Sequence, residues 1–214
     1  MTTLIIIAKE CIPGRVKTRL HPPLSLEQAA TLAAASLADT FRAVSTLDAS
    51  RRILLFDGNL FPLGSEQYDV IHQVSGDLDM RLGAIFDECG GPTVLVGMDT
   101  PQLDAAMLAP LFGDWPDDVD AFIGFANDGG YWTIGMAKPD GSLIRGVPMS
   151  REDTGRLQLD RLTRAGLRVR MLPELVDVDT IDDARLVAGL APDTEFARTL
   201  ASFSPATPET GTHR

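Results

Sequence analysis

The stretch "TLIIIA" (Thr3–Ala8) determines the fold that we expect for this chain. Its apolar residues follow one another without polar alternation, which is typical of a strand buried on both faces of a sheet. A second stretch of this kind is "PTVLVGMD" (Pro92–Asp99). Strands buried on both faces occur mainly in parallel sheets that helices cover on each side, so the two stretches indicate an α/β protein.

Helical patterns alternate with strand-like stretches along the chain. Ser25 and Gln28 have the spacing of a capping box, and apolar residues then recur in steps of three and four from Leu26 to Val44, which predicts a long amphipathic helix. Further strands are predicted over Arg52–Phe56, Tyr68–Gln73, Asp120–Ala126, Tyr131–Ala137 and Leu167–Leu172. Further helices are predicted over Leu78–Cys89, Asp104–Phe112, Ser150–Ala165 and, as the last one, Thr180–Leu190.

The sequence "NDGG" (Asn127–Gly130) separates two of these strands with the turn residues of a β-hairpin. One strand is therefore expected to run antiparallel, whereas the strand–helix alternation elsewhere predicts right-handed crossovers between parallel strands. We expect a three-layer αβα sandwich whose mostly parallel, twisted sheet has roughly seven strands with one antiparallel strand.

Length and composition are those of one globular domain. The chain has 214 residues, of which 44% are hydrophobic and 23% are charged, and these are ordinary proportions for such a domain. We expect a single domain over residues 1–200, and the resemblance given below implies that this domain binds a nucleotide. Residues 201–214 contain "SFSPATPETGTHR", which lacks apolar periodicity, and are expected to form a flexible tail.

The charge of the chain argues against two classes of partner. Its formal net charge is −11, whereas nucleic acids and anionic membranes both bind basic surfaces. No apolar stretch approaches the ~20 residues of a membrane-spanning helix, and no signal peptide is recognisable. The cysteines, Cys11 and Cys89, form no metal or redox motif. We therefore expect a cytoplasmic protein.

Charged residues follow the predicted strands at the edge of the sheet where ligands bind in folds of this kind. They comprise one basic segment and several carboxylates: Lys9 with "PGRVKTRL" (Pro13–Leu20), Asp99, Asp128, Asp177 and Asp179. Two carboxylates 4 Å apart repel each other by ~4 kcal/mol at an effective dielectric constant near 20. A divalent cation relieves this repulsion, and hard oxygen ligands suit Mg²⁺ or Mn²⁺.

A diphosphate would connect the basic segment to such a cation. Lys17 and Arg19 could hold its outer oxygens, and Gly14 would let the backbone approach the phosphates. Structural explanations stay open for several of these residues. The loop could be a solvated entry to a helix, Asp99 could cap a turn, and Asp177 could cap the last helix. A conformational or structural role is predicted for the remaining conspicuous residues: Gly129, Gly130, His21, His72 and Trp132.

Taken in order, five segments resemble a known group of enzymes. They are "GRVKTRL", "GDL" with Arg81, "GMDTP", "NDGGYWTIGM" and "VDVDT". The group is that of small bacterial transferases of the glycosyltransferase-A superfamily, which includes nucleotide-diphospho-sugar transferases and is distantly similar to molybdenum-cofactor guanylyltransferases of the MobA type. The resemblance extends from Leu4 to Leu190.

This resemblance implies specific roles at matching positions. Nucleotide binding is implied for residues near the end of the first strand and near "GDL": Ala8, Lys9, Gly14, Val16, Lys17, Thr18, Arg19, Gly76 and Asp77. A divalent metal, Mg²⁺ or Mn²⁺, is implied at Asp99 and Asp179. Lys17 and Asp128 are the implied catalytic residues, the first acting on the departing diphosphate and the second on an acceptor.

The chain departs from the group's pattern where the acceptor is expected. It has "GDLDMRL" where the group has "GDLGERM", Asn127–Asp128 where an acidic pair is expected, and Met149–Ser150 where a Trp–Ser pair is common. The glycine-rich opening of sugar nucleotidyltransferases is absent from its sequence.

Three functions remain open at this point. The first is a metal-dependent glycosyltransferase that uses a nucleoside-diphosphate sugar and a small-molecule acceptor. The second is a nucleotidyltransferase of the guanylyltransferase kind, which releases pyrophosphate. The third is a nucleotide-binding module without catalysis. The identity of the nucleotide, of the sugar and of the acceptor is open, and so is a homo-oligomeric state.

Overall fold

The computed structural model describes residues 1–203, in which seven strands form one sheet. The strands are β1 (Thr2–Lys9), β2 (Ala49–Asp57), β3 (Asp69–His72), β4 (Thr93–Gly97), β5 (Ala121–Ala126), β6 (Tyr131–Met136) and β7 (Val169–Leu175). Their order across the sheet is β3-β2-β1-β4-β6-β5-β7. All neighbours pair in parallel except that β6 runs antiparallel to both β4 and β5. The predicted sheet with one antiparallel strand is confirmed.

Helices cover both faces of this sheet. They are α1 (Leu26–Val44), α2 (Leu78–Asp87), α3 (Ala105–Leu108), α4 (Thr154–Arg164), α5 (Ile181–Leu190) and α6 (Glu195–Ser202). Leu4 and Ile6 of β1 pack in a cluster with α1 and α3, whereas Ile5 packs in a second cluster with α2 and α4. The unbroken apolar sequence of β1 is therefore explained, because both faces of this central strand are buried.

A third apolar cluster joins distant parts of the chain. Leu20, from the segment after β1, packs with Leu32 of α1, Val187 of α5 and Phe196 of α6. Val178, which lies between Asp177 and Asp179, belongs to the same cluster and is 1% exposed. The cluster consequently holds the basic segment after β1 against the segment after β7.

Two helix predictions need correction. The helix predicted from Ser150 begins at Thr154, with Asp153 at its N-cap position, because Ser150 adopts a left-handed backbone conformation with φ 56° that no helix start can use. The helix α6 was not predicted. It has the Thr194 side chain as its cap, and Phe196 is the large apolar residue that it buries.

Smaller differences concern the ends of elements. The helix predicted over Asp104–Phe112 is a four-residue α3 followed by a 3₁₀ turn at Ala109–Leu111, because Pro110 cannot continue the backbone hydrogen bonding of a helix. The last strand continues through Pro173, which is tolerated because β7 lies at the edge of the sheet. The predicted tail at 201–214 begins inside α6, and its residues 204–214 lie outside the described residues. None of the helices described is long and apolar enough to cross a membrane.

Candidate functional site

The segment that follows β1 directs one lysine towards the interior. The chain turns at Gly14, where φ is 78°, and Lys17 then adopts the left-handed conformation with φ 45° before a 3₁₀ turn at Thr18–Leu20. Left-handed backbone is uncommon for a residue with a side chain and costs about 1–3 kcal/mol. The buried side chain of Leu20 fixes the end of the turn. The Lys17 side chain is only 10% exposed.

Three carboxylates converge on the ammonium group of Lys17. Its Nζ lies 2.8 Å from Oδ1 of Asp99, 3.4 Å from Oδ1 of Asp177 and 3.4 Å from Oδ1 of Asp179. Arg19 contacts the other oxygen of Asp179 at 2.9 Å. The structure therefore brings together the predicted basic segment and the acids that follow β4 and β7.

Backbone contacts hold these acids in register. The backbone N–H of Val178 donates to the carbonyl of Asp99 at 3.1 Å. The backbone N–H of Asp177 donates to the side-chain oxygen of Asn127 at 2.8 Å. Asn127, which replaces an expected acid, thus supports the acid cluster from the β-hairpin.

The interpretation of Asp177 as a helix cap is wrong. Thr180 is the N-cap residue of α5, and it forms a capping box with Asp183. Asp177 is free to contact Lys17 because the helix already has its cap. Asp99, similarly, uses its carboxylate on Lys17 at 2.8 Å.

The pKa values of the cluster reflect burial and an excess of negative charge. Burial alone would lower the pKa of Lys17, but Asp99 and Asp177 outweigh it and hold this pKa above its ordinary value. Burial raises the pKa of Asp177 to about 7, and Asp99 and Asp179 add to the rise against the opposing effect of Lys17. One ammonium group thus compensates three carboxylates only in part.

Three cavities lie in this region, and the first and third adjoin the cluster. The first, of about 190 Å³, lies against the loop from Arg15 to Arg19 and borders Asp99 and Asp179. The second, of about 500 Å³, lies beyond β1 and β2 and borders Glu10, Phe56 and Gln73. The third is the largest, at about 890 Å³, and reaches from Ala8 past the acids to the β-hairpin. Lys9 borders all three cavities.

Lys9 and Arg15 are the cations available for a ligand in this region. In the part of the chain that the structure describes, neither forms an ion pair, whereas Lys17 and Arg19 are bound to carboxylates. Both border the first and second cavities. The nucleotide-binding set predicted from the sequence omits Arg15, although its position between Gly14 and Lys17 was a usable signal.

The remaining predicted residues lie at different distances from the cavities. Val16, Lys17, Thr18 and Arg19 line the first cavity, and Ala8 lines the third. Three predicted nucleotide-binding residues are not among those that line the cavities formed by residues 1–203: Gly14, Gly76 and Asp77. Gly14 and Gly76 have positive φ angles, which glycine adopts without steric cost in turns, and their predicted contact with a nucleotide stays a prediction.

Asp128 and its neighbours form the wall of the largest cavity. Oδ1 of Asp128 accepts a hydrogen bond from the backbone N–H of Gly130 at 2.8 Å. Gly129 has φ 87°, and a Cβ atom there would lie 2.0 Å from the carbonyl oxygen of Glu152, so a side chain at this position is excluded. Trp132 is 3% exposed, as predicted for a core residue, and its indole N–H donates to the carbonyl of Pro173. The same residue also borders the cavity.

The donor set at Asp99, Asp177 and Asp179 has the chemistry of a magnesium or manganese site, because all its ligand atoms are carboxylate oxygens. Their present spacing suits the ammonium of Lys17 at 2.8–3.4 Å. Among residues 1–203, no group of three or more His, Cys, Asp or Glu side chains is already arranged around a metal position.

A family model matches residues 30–151, which is more than half of the chain, and its description is "Uncharacterized protein conserved in bacteria (DUF2064)". The chain belongs to this family. The match to DUF2064 includes Asp99 and Asp128. Lys17, Asp177 and Asp179 lie outside the matched residues, and their contacts in the structure are what place them in the site. A comparison with curated proteins gives no significant match.

Several solved structures have the same fold as this member of the DUF2064 family. The crystal structure of a "putative nucleotide-diphospho-sugar transferase" from Desulfovibrio desulfuricans G20 has a TM-score of 0.82 at 25% identity, over 94% of each chain. Glucosyl-3-phosphoglycerate synthase from Mycobacterium tuberculosis, in complex with Mn²⁺, uridine diphosphate and glucosyl-3-phosphoglycerate, has a TM-score of 0.52 at 12% identity, over 94% of this chain and 78% of the other. The 2-C-methyl-D-erythritol 4-phosphate cytidylyltransferase from Thermus thermophilus has a TM-score of 0.53 at 12% identity, over 90% of this chain and 100% of the other.

The last two likenesses concern the fold alone. The Desulfovibrio structure confirms the predicted resemblance to nucleotide-diphospho-sugar transferases. The enzyme class predicted from the sequence is also that of the Desulfovibrio protein.

Proposed function

We propose that this protein is a transferase that uses a nucleotide-activated donor, and that the donor is a nucleoside-diphosphate sugar. The observation that carries the proposal is the meeting of Lys17 with Asp99, Asp177 and Asp179 beside a small cavity bordered by free cations. A cationic loop beside several carboxylates is what a diphosphate and its metal ion require. The likeness to the Desulfovibrio protein over 94% of both chains supports the same class.

The diphosphate would occupy the first cavity. Lys9 and Arg15 offer unpaired positive charge there, and Lys17 borders the same space. The nucleoside would extend into the adjacent cavity of about 500 Å³, which shares Lys9 and Arg15 with the first. The sugar and the acceptor would share the cavity of about 890 Å³.

The acids would hold Mg²⁺ or Mn²⁺ as the cofactor, through Asp99 and Asp179 as predicted and with Asp177 beside them. A divalent ion in such a position offsets the negative charge that grows on the departing diphosphate. Lys17, once turned from the acids to the phosphates, would stabilise the same charge, and electrostatic stabilisation of this kind is often the largest contribution to catalysis.

Asp128 is proposed to bind the acceptor hydroxyl and to accept its proton. Its Oδ1 accepts a hydrogen bond from the backbone N–H of Gly130, which restrains the carboxylate, and Asp128 borders the largest cavity. A general base must lie within hydrogen-bonding distance of the proton that it removes. Met149 and Ser150, which replace the Trp–Ser pair common in the glycosyltransferase-A group, border the same space, so they would determine which acceptor fits.

The test is a thermal-shift panel of nucleotides and nucleotide sugars, with and without Mn²⁺. A ligand at 100 times its dissociation constant stabilises a protein by ~2.7 kcal/mol, which raises the melting temperature by roughly 5–10 °C for a chain of this size. Asp99→Asn should abolish the part of the shift that depends on Mn²⁺. Asp48→Asn is the matched control, because it removes an exposed carboxylate that forms no ion pair with any of residues 1–203.

The products distinguish the three functions that the sequence left open. Release of a nucleoside diphosphate from a nucleotide sugar supports glycosyl transfer. Release of pyrophosphate from a nucleoside triphosphate would assign nucleotidyl transfer instead, and binding without any transfer would indicate a non-catalytic module. If no nucleotide stabilises the wild-type chain under any metal condition, the proposal is wrong.

A further inference from the structure

Arg81 is held in a fixed position in the wall of the largest cavity. It lies near the start of α2, and its side chain is 33% exposed. Its Nε–H donates to the carbonyl of Gly76 at 2.7 Å, and its Nη1 donates to the side-chain oxygen of Gln73 at 3.0 Å. Two such bonds fix the plane of the guanidinium group, because its donors form a rigid fork.

Gln73 ties this arginine to the central strands. The amide nitrogen of Gln73 donates to the carbonyl of Ala8 at 3.1 Å and to that of Leu55 at 3.3 Å. Its oxygen is thereby left to accept from Arg81. Gln73 thus joins Arg81 to the ends of β1 and β2, where Ala8 and Lys9 border the same cavity.

The carboxylate that pairs with Arg81 is more distant than those that pair with Arg151 and Arg168. Arg168 lies 2.8 Å from Asp120, and Arg151 contacts Asp153 with two nitrogens at 3.0 and 3.3 Å. The closest partners of Arg81 are the neutral oxygens of Gly76 and Gln73, whereas the carboxylate of Asp57 lies 3.6 Å from its Nη1. A fixed guanidinium without a close carboxylate is prepared to bind an anion, and its planar fork matches phosphate and carboxylate groups.

Arg81 differs from the cations proposed for the diphosphate in its position. It borders the large cavity, where Lys9 also lies, but unlike Lys9 and Arg15 it does not border the small cavity beside Lys17. The large cavity contains Asp128 as well, and its wall between the charged groups includes the apolar side chains of Leu82, Leu95 and Trp132. A molecule in this space would present a hydroxyl to Asp128 and a negative group to Arg81.

We propose that Arg81, positioned by Gln73, is the specificity-determining residue for an acceptor that carries a phosphate or carboxylate group. The assignment of this molecule as the acceptor rests on the proposed function. The binding of an anion by Arg81 rests on the contacts of Arg81 alone.

Three probes with one carbon skeleton test the proposal: glycerol, glycerate and glycerol 3-phosphate. Their affinities for the full chain are measured by isothermal titration calorimetry with Mg²⁺, once alone and once with saturating inorganic pyrophosphate, which under the proposed function would occupy the loop around Lys17. We expect glycerate, glycerol 3-phosphate or both to bind about 10- to 100-fold more tightly than glycerol, as expected for one charge-assisted contact. The stronger of the two distinguishes carboxylate from phosphate.

Variants of the chain locate the effect. Arg81→Gln should remove the preference for the anionic probe, and Arg81→Lys should restore it only in part because a lysine lacks the planar fork. Gln73→Ala should weaken the anionic probe while leaving glycerol unchanged. Arg151→Gln is the control, because it removes an equal charge from the same wall where Asp153 already compensates it. Thermal melting of each variant verifies that it is folded.

The outcomes separate this proposal from the proposed function. Equal or undetectable binding of all three probes overturns the role of Arg81, and so does a preference that survives Arg81→Gln or is lost equally in Arg151→Gln. A preference that depends on Arg81 supports it. If no nucleotide binds while this preference persists, the proposed donor is wrong and the anion site stands.

Discussion

Lys17 combines three features that seldom occur together in one side chain. Its backbone is left-handed, its side chain is 10% exposed, and its ammonium contacts three carboxylates. Partners that are partly buried keep most of their attraction because water screens them little. Lys17 is therefore at once a structural cation and the group that a diphosphate would attract.

Lys17→Met should lower the free energy of unfolding on the order of 2–3 kcal/mol, because it removes the cation that three carboxylates share and leaves only the contact of Arg19 with Asp179. The value is smaller than for a fully buried pair, since the acids are 26–34% exposed. Urea unfolding measures it. Mn²⁺ should stabilise this variant more than the wild type, because the metal can replace the missing charge. Unchanged stability, together with an unchanged response to Mn²⁺, would contradict this account of the cluster.

Ser150 is the other non-glycine residue with positive φ among those described, and it also borders the largest cavity. Ser150→Gly should raise the free energy of unfolding by about 0.5–1 kcal/mol, because glycine adopts this conformation without steric cost. Chemical denaturation checks the value. Ser142→Gly, at an exposed residue that starts from ordinary backbone, should give no such gain.

Single residues also show where sequence interpretation succeeds. Asp99, Asp177 and Asp179 could be expected to meet because each follows a strand at the same edge of the sheet. Their shared partner Lys17 could not be derived, since its direction depends on a left-handed φ that no sequence pattern specifies. Arg15 was missed for a related reason: which of three neighbouring cations stays unpaired depends on side-chain positions.

The helices and strands were predictable where local features such as capping residues agree with the apolar pattern that packs against the rest of the fold. The capping box of Ser25 and Gln28 and the apolar stripe of α1 agree, and the helix has the predicted bounds Leu26–Val44. At Ser150 the capping signal misled, because the chain needs a turn there and the helix begins at Thr154. The helix α6 was missed although Thr194 is a residue type that caps helices and the sequence is amphipathic, because eight residues give the apolar pattern little more than two turns in which to repeat.

The contact between α2 and the 3₁₀ turn at Gly141–Leu143 gives a pH-dependent prediction. The side chain of Arg145 and the backbone N–H of Gly141 both bind Asp87, and they hold its pKa below the ordinary value of 3.8. A carboxylate whose pKa is lower in the folded state stabilises the fold above its unfolded pKa and loses this effect as the pH falls through the folded pKa.

Asp87→Asn should therefore lower the free energy of unfolding at pH 7 by about 1 kcal/mol at most, because the pair is largely solvent-exposed. The difference from the wild type should vanish as the pH falls below the ordinary range of an aspartate. Denaturation curves over a pH series measure it, with Asp48→Asn as the control. A difference that grows at low pH would show that another group is responsible.

The third apolar cluster joins α6 to the two segments that carry the site, the one after β1 and the one after β7. Phe196 of α6, 1% exposed, packs in the cluster that includes Leu20 and Val178. The buried carboxylate of Asp39 in α1 accepts hydrogen bonds from the backbone N–H groups of Glu195 and Phe196 at 2.9 and 2.7 Å, which fixes the start of α6. The last described helix thus supports both sides of the cation–acid cluster.

Phe196→Ala should lower the free energy of unfolding by about 3–5 kcal/mol through the cavity that it leaves. It should also reduce nucleotide affinity, because Leu20 and Val178 lose a common neighbour. Leu190→Ala, at a residue 62% exposed, should change stability by less than about 0.5 kcal/mol. Denaturation and nucleotide titration measure the two effects, and a large stability loss with unchanged nucleotide affinity would separate the cluster from the site.

The hydrogen bond from Val178 to Asp99, and the contacts of Lys17 with acids about 160 positions later in the chain, have a consequence for biosynthesis. The ribosome releases β1 and its lysine long before the acids after β7 emerge, so the growing polypeptide carries Lys17 and Asp99 without their later partners. Contacts between such distant segments form late and slowly during folding. A nascent or prematurely terminated chain should therefore be unable to recognise a nucleotide, and ligand-induced protection from proteolysis should begin only when translation has passed Phe196.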